Sequence, residues 1–146
     1  MRIGIVSDHR GVKLKEQIKN KLIKNNYLVE DYGTNNYESV DFPKYAFILG
    51  EKLKNKEIDF GIAICGTGIG MSIALNKVKG VMCAKIDNKL DAKYAKEHND
   101  VNAIAISANN SLLKTLKLLT IFLKSEKNKN NKYQKRIDMI KEYENR

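Results

Sequence analysis

Residues 58–78 read IDFGIAICGTGIGMSIALNKV. The stretch opens on an apolar run, turns through glycines at positions 66, 68 and 70, and continues into a segment of helical character. A short run that is apolar on both faces marks a strand buried inside a parallel sheet. Strand, glycine loop and helix in that order make half of a βαβ unit. The thiol of Cys65 stands at the seam, directly before the first glycine.

The same alternation extends in both directions. RIGIVSD (2–8) is rich in β-branched residues, and Leu14, Ile18 and Leu22 then recur at helical spacing through a lysine-rich segment. YLVEDYG (27–33) reads as a strand. Phe42, Ala46, Leu49 and Leu53 read as a helix face, with Pro43 in a first turn that has no use for its missing N–H. GVMCAKI (80–86) precedes NKLDAKYAKEHN (88–99), and NAIAISA (102–108) precedes SLLKTLKLLTIFLK (111–124). The pattern specifies an α/β fold: a three-layer α/β/α, Rossmann-like domain with a parallel sheet of about five strands joined by right-handed crossovers. A polar connector, SEKNKNNK (125–132), leads to YQKRIDMIKEY (133–143), where Tyr133, Ile137 and Ile140 share one face. The chain is therefore expected to form one domain, 1–146, with 126–146 as a C-terminal extension. Its last helix must dock on its own body or on a second subunit.

Composition narrows the function classes. At 146 residues, with 42% hydrophobic and 30% charged residues and a single proline, the chain has the makeup of an ordinary globular domain. Cys65 and Cys83 lack CxxC spacing, so reduced thiols are expected. No apolar run reaches the roughly 20 residues of a membrane span, and no charged-then-apolar leader precedes RIGIVSD. The expected location is the cytoplasm, with no membrane partner. The net charge of +10 raises nucleic acid as a ligand, but the lysines fall on the non-apolar faces of helical segments without interleaved aromatics. A solvated basic surface is the better reading, and no nucleic-acid partner is expected.

In open parallel sheets, ligands bind beyond the carboxyl ends of the strands. SDHRG (7–11) and CGTGIG (65–70) fall there, while EHND (97–100) needs the far end of a helix to reach the site, from a partner chain if necessary. Glycines let backbone N–H groups approach an anion closely, either a phosphate or an oxyanion formed during reaction. The same positive environment favours a thiolate at Cys65. A dinucleotide site would require glycine where Met71 stands and a loop after the first strand; a P-loop would require Gly-Lys-Ser/Thr. Two histidines, His9 and His98, and a distant cysteine have no metal-ligand spacing, so neither metal nor cofactor is expected. Beside a thiolate the histidines suit proton transfer. Lys132 and Arg136, four apart on one helix face, can close on one phosphate.

SDHRG, DFPKYA, ICGTGIGMSIALNKV, EHNDVNAIAIS and QKRIDMI, in this order over essentially the whole chain, resemble the type B ribose-5-phosphate isomerase family, which includes galactose-6-phosphate isomerase subunits. The resemblance implies metal-free aldose–ketose isomerisation through an enediolate. It further implies Cys65 as the base between C2 and C1, Thr67 and the amides of Gly66, Gly68, Ile69 and Gly70 around the enediolate oxygens, and His98 opening the furanose ring. Asp8 and Asn99 would orient hydroxyls and His9 would lie near the phosphate. The resemblance also implies a homodimer, with tetramers as a further step, whose sites are shared between subunits. Within that family a histidine at position 98 favours a ribose-like substrate over a six-carbon one. The chain departs from the pattern in two places: Asn109 replaces an arginine, and Asn131, Lys132 and Tyr133 replace Gly-Arg-His. Phosphate capture would then fall to Asn109, Lys132 and Arg136, with weaker grip because lysine lacks the bidentate fork. Arg10, beside His9, is placed to compensate.

Overall fold

The computed structural model describes all residues, 1–146. Strands β1 (Arg2–Ser7), β2 (Leu28–Asp31), β3 (Phe60–Cys65), β4 (Cys83–Lys85) and β5 (Ala103–Ser107) alternate with helices α1 (Val12–Lys24), α2 (Phe42–Lys54), α3 (Ile69–Leu75), α4 (Lys89–Glu97) and α5 (Leu112–Lys124), and α6 (Asn131–Glu144) follows. The five strands form one sheet in the order β2-β1-β3-β5-β4, every pair parallel. The chain reverses its direction of travel across the sheet between β1 and β3, so the switch point of the fold lies beyond Ser7 and Cys65.

Strand side chains alternate between two cores of different texture. Ile3, Ile5, Ile62, Ile64, Ile104 and Ile106 face α1, α4 and α5. The opposite face carries Val6, Ala63, Cys65, Ala103 and Ala105, and there α2 and α3 pack close on small residues. Leu14, Ile18 and Leu22 of α1 and Ala46, Leu49 and Leu53 of α2 are buried as their spacing predicts. The fourth strand is shorter than its apolar run and lies at the sheet edge. There the Asn76 side chain takes the place of a neighbouring strand: Cys83 N–H donates to Asn76 Oδ1, and Asn76 Nδ2 donates to Cys83 O, both at 2.9 Å.

Helix α6 returns under the amino end of the sheet. Asn128 N–H donates to Glu97 O at 2.9 Å at its start, and Gly80 N–H donates to Glu144 Oε2 at 3.0 Å at its end. Of its expected apolar face, Ile137 is buried, Tyr133 is partly covered, and Ile140 stays about half exposed.

Candidate active site

The carboxyl ends of three adjacent strands build one cluster. At the end of β1, Asp8 is buried, and its Oδ1 accepts the amides of Arg10 at 3.0 Å and Gly11 at 3.3 Å. This local turn is what aspartate commonly builds after a strand, and it leaves Oδ2 without a partner in the chain. His9 Nδ1 accepts the Val40 N–H at 3.2 Å, so the neutral ring carries its proton on Nε2.

At the end of β3, Cys65 is buried and its Sγ accepts the Gly68 N–H at 3.2 Å. Gly68 has φ +79°, and a side chain there would also press on the Ile106 backbone at 3.0 Å, so only glycine fits. A Cβ on Gly66 would meet the Arg10 guanidinium at 3.2 Å, which shows that Arg10 lies directly on the loop. The amides of Gly66, Thr67 and Gly70 donate to nothing in the chain, whereas Ile69 N–H is taken by Thr67 Oγ1 at 3.2 Å. Gly70 is additionally a packing residue, since a Cβ would strike the Phe42 ring at 2.5 Å.

Ser107 joins β5 to the loop. Its hydroxyl donates to Gly66 O at 2.7 Å and accepts the Asn109 N–H at 3.1 Å, holding exposed Asn109 at the rim. Sequence reading passed over Ser107; its position at a carboxyl strand end, next to the loop's own strand, was the available signal. Arg10 pairs with no carboxylate, so a free guanidinium, unpaired amides and a buried carboxylate converge beside one thiol. Cys83 differs: burial pushes its thiol up to about 12 against the lowering effect of the Ser72 hydroxyl, which makes it inert.

His98, Asn99, Lys132 and Arg136 form a second cluster at the opposite end of the sheet. Helix α4 runs antiparallel to the strands, so its C-cap residue, His98, lies near the start of β5. The length of β5 alone separates the clusters by roughly 16 Å. One chain therefore brings Asp8, His9, Cys65, Gly66–Gly70 and Asn109 together and holds His98, Asn99, Lys132 and Arg136 apart from them.

A buried lysine, also unread in the sequence, secures the loop behind His9. Lys15 is fully buried on α1, and its Nζ donates to Asp31 Oδ2 at 2.5 Å and Asn35 Oδ1 at 2.7 Å. Asp31 also accepts from Lys19 at 2.9 Å and Gly33 N–H at 2.9 Å. Burial alone would raise the Asp31 carboxyl, but the hydrogen bonds from Lys15, Gly33 and Lys19 outweigh it and hold it below the ordinary value. A depressed carboxylate stabilises the fold above its unfolded pKa, and that contribution is lost as pH falls through the lower folded value. Replacing Asp31 with alanine removes the closest carboxylate of the buried Lys15 ammonium and leaves it only Asn35 at 2.7 Å and the half-exposed Glu16 at 3.5 Å. Thermal or urea unfolding is expected to show a loss of about 3 kcal/mol at neutral pH, shrinking in acid.

A thiol beside unpaired amides at the switch point of a doubly wound sheet suits an enzyme acting on a small anionic molecule, and comparison with known proteins gives its class. The sequence profile described as Ribose/Galactose Isomerase matches residues 3–140, and the chain belongs to that family. Within it, the chain is similar to ribose-5-phosphate isomerase B. The solved structure of that enzyme from Clostridium thermocellum superposes with a TM-score of 0.96 at 41% identity, covering 99% of this chain and 98% of the other. The Mycoplasma genitalium enzyme, solved with bound ribulose-5-phosphate, gives 0.93 at 37% identity over 99% and 96% of the two chains. The Escherichia coli enzyme is 32% identical over 99% of this chain and 97% of its own length.

Proposed function

We propose that the protein interconverts D-ribose 5-phosphate and D-ribulose 5-phosphate through an enediolate, with Cys65 as base. The observation that carries this reading is the Cys65 sulfur, fixed by Gly68 N–H at 3.2 Å, beside loop amides with no partner in the chain. Isomerisation moves one proton between adjacent carbons and needs donors where negative oxygen develops. The thiolate takes the C2 proton, and the C–H electron pair becomes the C1–C2 double bond while the C1 carbonyl oxygen gains the charge. Returning the proton from the Cys65 thiol to C1, as the C2 hydroxyl proton passes to O1 and the C1–C2 double bond gives way to the C2 carbonyl, leaves the ketose and restores the thiolate. The amides of Gly66, Thr67 and Gly70 and the Thr67 hydroxyl face the enediolate oxygens, and Asp8 Oδ2 receives a substrate hydroxyl.

Before that step the aldose ring must open: the C1–O4 bond breaks as O4 takes a proton and O1 gives one up, leaving the aldehyde. His98 supplies the proton to O4, and Asn99 orients a hydroxyl beside it. Because these residues lie at the far end of their own sheet, they serve the site of a second copy, and the working unit is a homodimer with two shared sites. In this arrangement 1–146 is one domain whose 126–146 extension carries Lys132 and Arg136 to the partner's phosphate. The exposed Ile69 and Ile73 of α3 and Leu90 and Tyr94 of α4 offer the apolar surface for pairing. No helix is long and apolar enough to cross a membrane. A base that must stay a free thiol suits the reducing cytoplasm.

Assaying wild type on ribose 5-phosphate, allose 6-phosphate and galactose 6-phosphate tests the reading. Preferred turnover of the five-carbon sugar is expected; preference for a six-carbon sugar would move the assignment within the family, and binding without turnover would make this a sugar-phosphate-binding protein. Arg10, lying on Gly66, is expected to take over anion charge that Asn109 cannot supply. Arg10→Ala should raise KM for ribose 5-phosphate about tenfold with a smaller change in kcat, in steady-state kinetics. An unchanged KM would dispose of that role.

A further inference from the structure

His98 is not held as a proton-transferring histidine usually is. Such rings are commonly oriented by a carboxylate or carbonyl on one nitrogen, yet neither ring nitrogen of His98 hydrogen-bonds within the chain. Its one such contact is the backbone N–H to Tyr94 O at 3.0 Å. Two tyrosines sandwich the ring instead. The Tyr94 centroid lies 4.2 Å away with the planes 9° apart, and the Tyr133 centroid lies 4.2 Å away on the other side with the planes 6° apart. Tyr94 precedes His98 by one helical turn, which puts both on one face of the α4 terminus. Tyr133 arrives from α6, whose start is pinned to α4 through Asn128 and Glu97. On the same helix, Lys132 Nζ is 4.9 Å and the Arg136 guanidinium 6.0 Å from the Tyr133 ring centre.

We infer that Tyr94 and Tyr133 are positioning residues that clamp the His98 imidazole by its two faces, leaving only its nitrogen-bearing edge for substrate, and that Tyr133 joins this ring rigidly to the helix carrying Lys132 and Arg136. The inference rests on the ring-opening role proposed above. Stacking fixes the plane of the ring without engaging either nitrogen, so both remain free to exchange a proton with the sugar. It also makes the proton donor and the cations of α6 a single body, so that seating the phosphate on Lys132 and Arg136 sets the histidine edge against the ring oxygen.

The two sugars separate this role from a general one. Ribose 5-phosphate is mostly a closed furanose and needs ring opening. Ribulose 5-phosphate has its only ring-forming hydroxyl esterified, so it is acyclic, and exchange of its C1 proton needs Cys65 but not His98. For Tyr133→Ala, at saturating substrate, ribose 5-phosphate turnover is expected to fall between about 10-fold and 10²-fold. Exchange of the ribulose 5-phosphate C1 proton with deuterated water, followed by NMR, should stay within about threefold of wild type under the same logic. Tyr133→Phe keeps the stacked ring and should match wild type in both. Unchanged ribose 5-phosphate turnover in Tyr133→Ala, or a parallel fall in both readouts, would overturn the inference. Wild type silent on both sugars would instead overturn the isomerase reading on which it rests.

Discussion

Co-expressed Cys65→Ala and His98→Ala chains, each nearly inactive alone, are expected to recover about a quarter of wild-type activity. The expectation comes from where the topology puts the two side chains. Cys65 ends β3, and His98 caps the far end of α4, on opposite ends of the sheet. In a two-fold dimer, whatever one copy lends to its partner it receives in return. A mixed dimer then holds one site with both groups intact and one with both missing. Random pairing makes half of all dimers mixed, and half of their sites work. Purifying the mixed species with two affinity tags removes any doubt about pairing. If verified mixed dimers stay as inactive as their parents, Cys65 and His98 do not act at one shared site.

Cys65→Ala itself should lower kcat by about 10³-fold while leaving KM within a few-fold, because a positioned base contributes to the transition state far more than to substrate binding. The fold should survive. Cys65 sits among small residues of the α2–α3 core, and trimming one heavy atom there costs about 1 kcal/mol. Circular dichroism and binding of the substrate by calorimetry should therefore be near wild type. A variant that keeps full activity would return Cys65 to a packing role.

The fold was legible because its strands are apolar on both faces and its helices repeat at one spacing: Ile62 and Ile64 alternating with Ala63 and Cys65 fit a strand buried inside a parallel sheet, and the structure pairs that strand with β1 and β5. The loop was legible too, since glycines at 66, 68 and 70 after a strand have few other uses. Their separate duties were not. Gly68 is required by its φ and by the Ile106 backbone and Gly70 by the Phe42 ring, while Gly66 gives the Arg10 side chain room to lie on the loop, each a contact made across the sequence. Lys15 looked like one lysine among many in KLKEQIKNKLIKNN, and only the approach of Asp31 and Asn35 shows why it is buried. Tyr133 read as an apolar position on a terminal helix, because nothing local to it announces that α6 returns to His98.

Whether this thiol carries a proton between adjacent carbons of a pentose phosphate is read out by converting ribose 5-phosphate in deuterated water and following the carbon-bound hydrogens by NMR. Wild type is expected to form ribulose 5-phosphate with deuterium entering at C1, because a thiol proton exchanges with solvent, while Cys65→Ala neither converts nor exchanges. Conversion or exchange that persists without the Cys65 sulfur, or a wild type silent on ribose 5-phosphate, would contradict it.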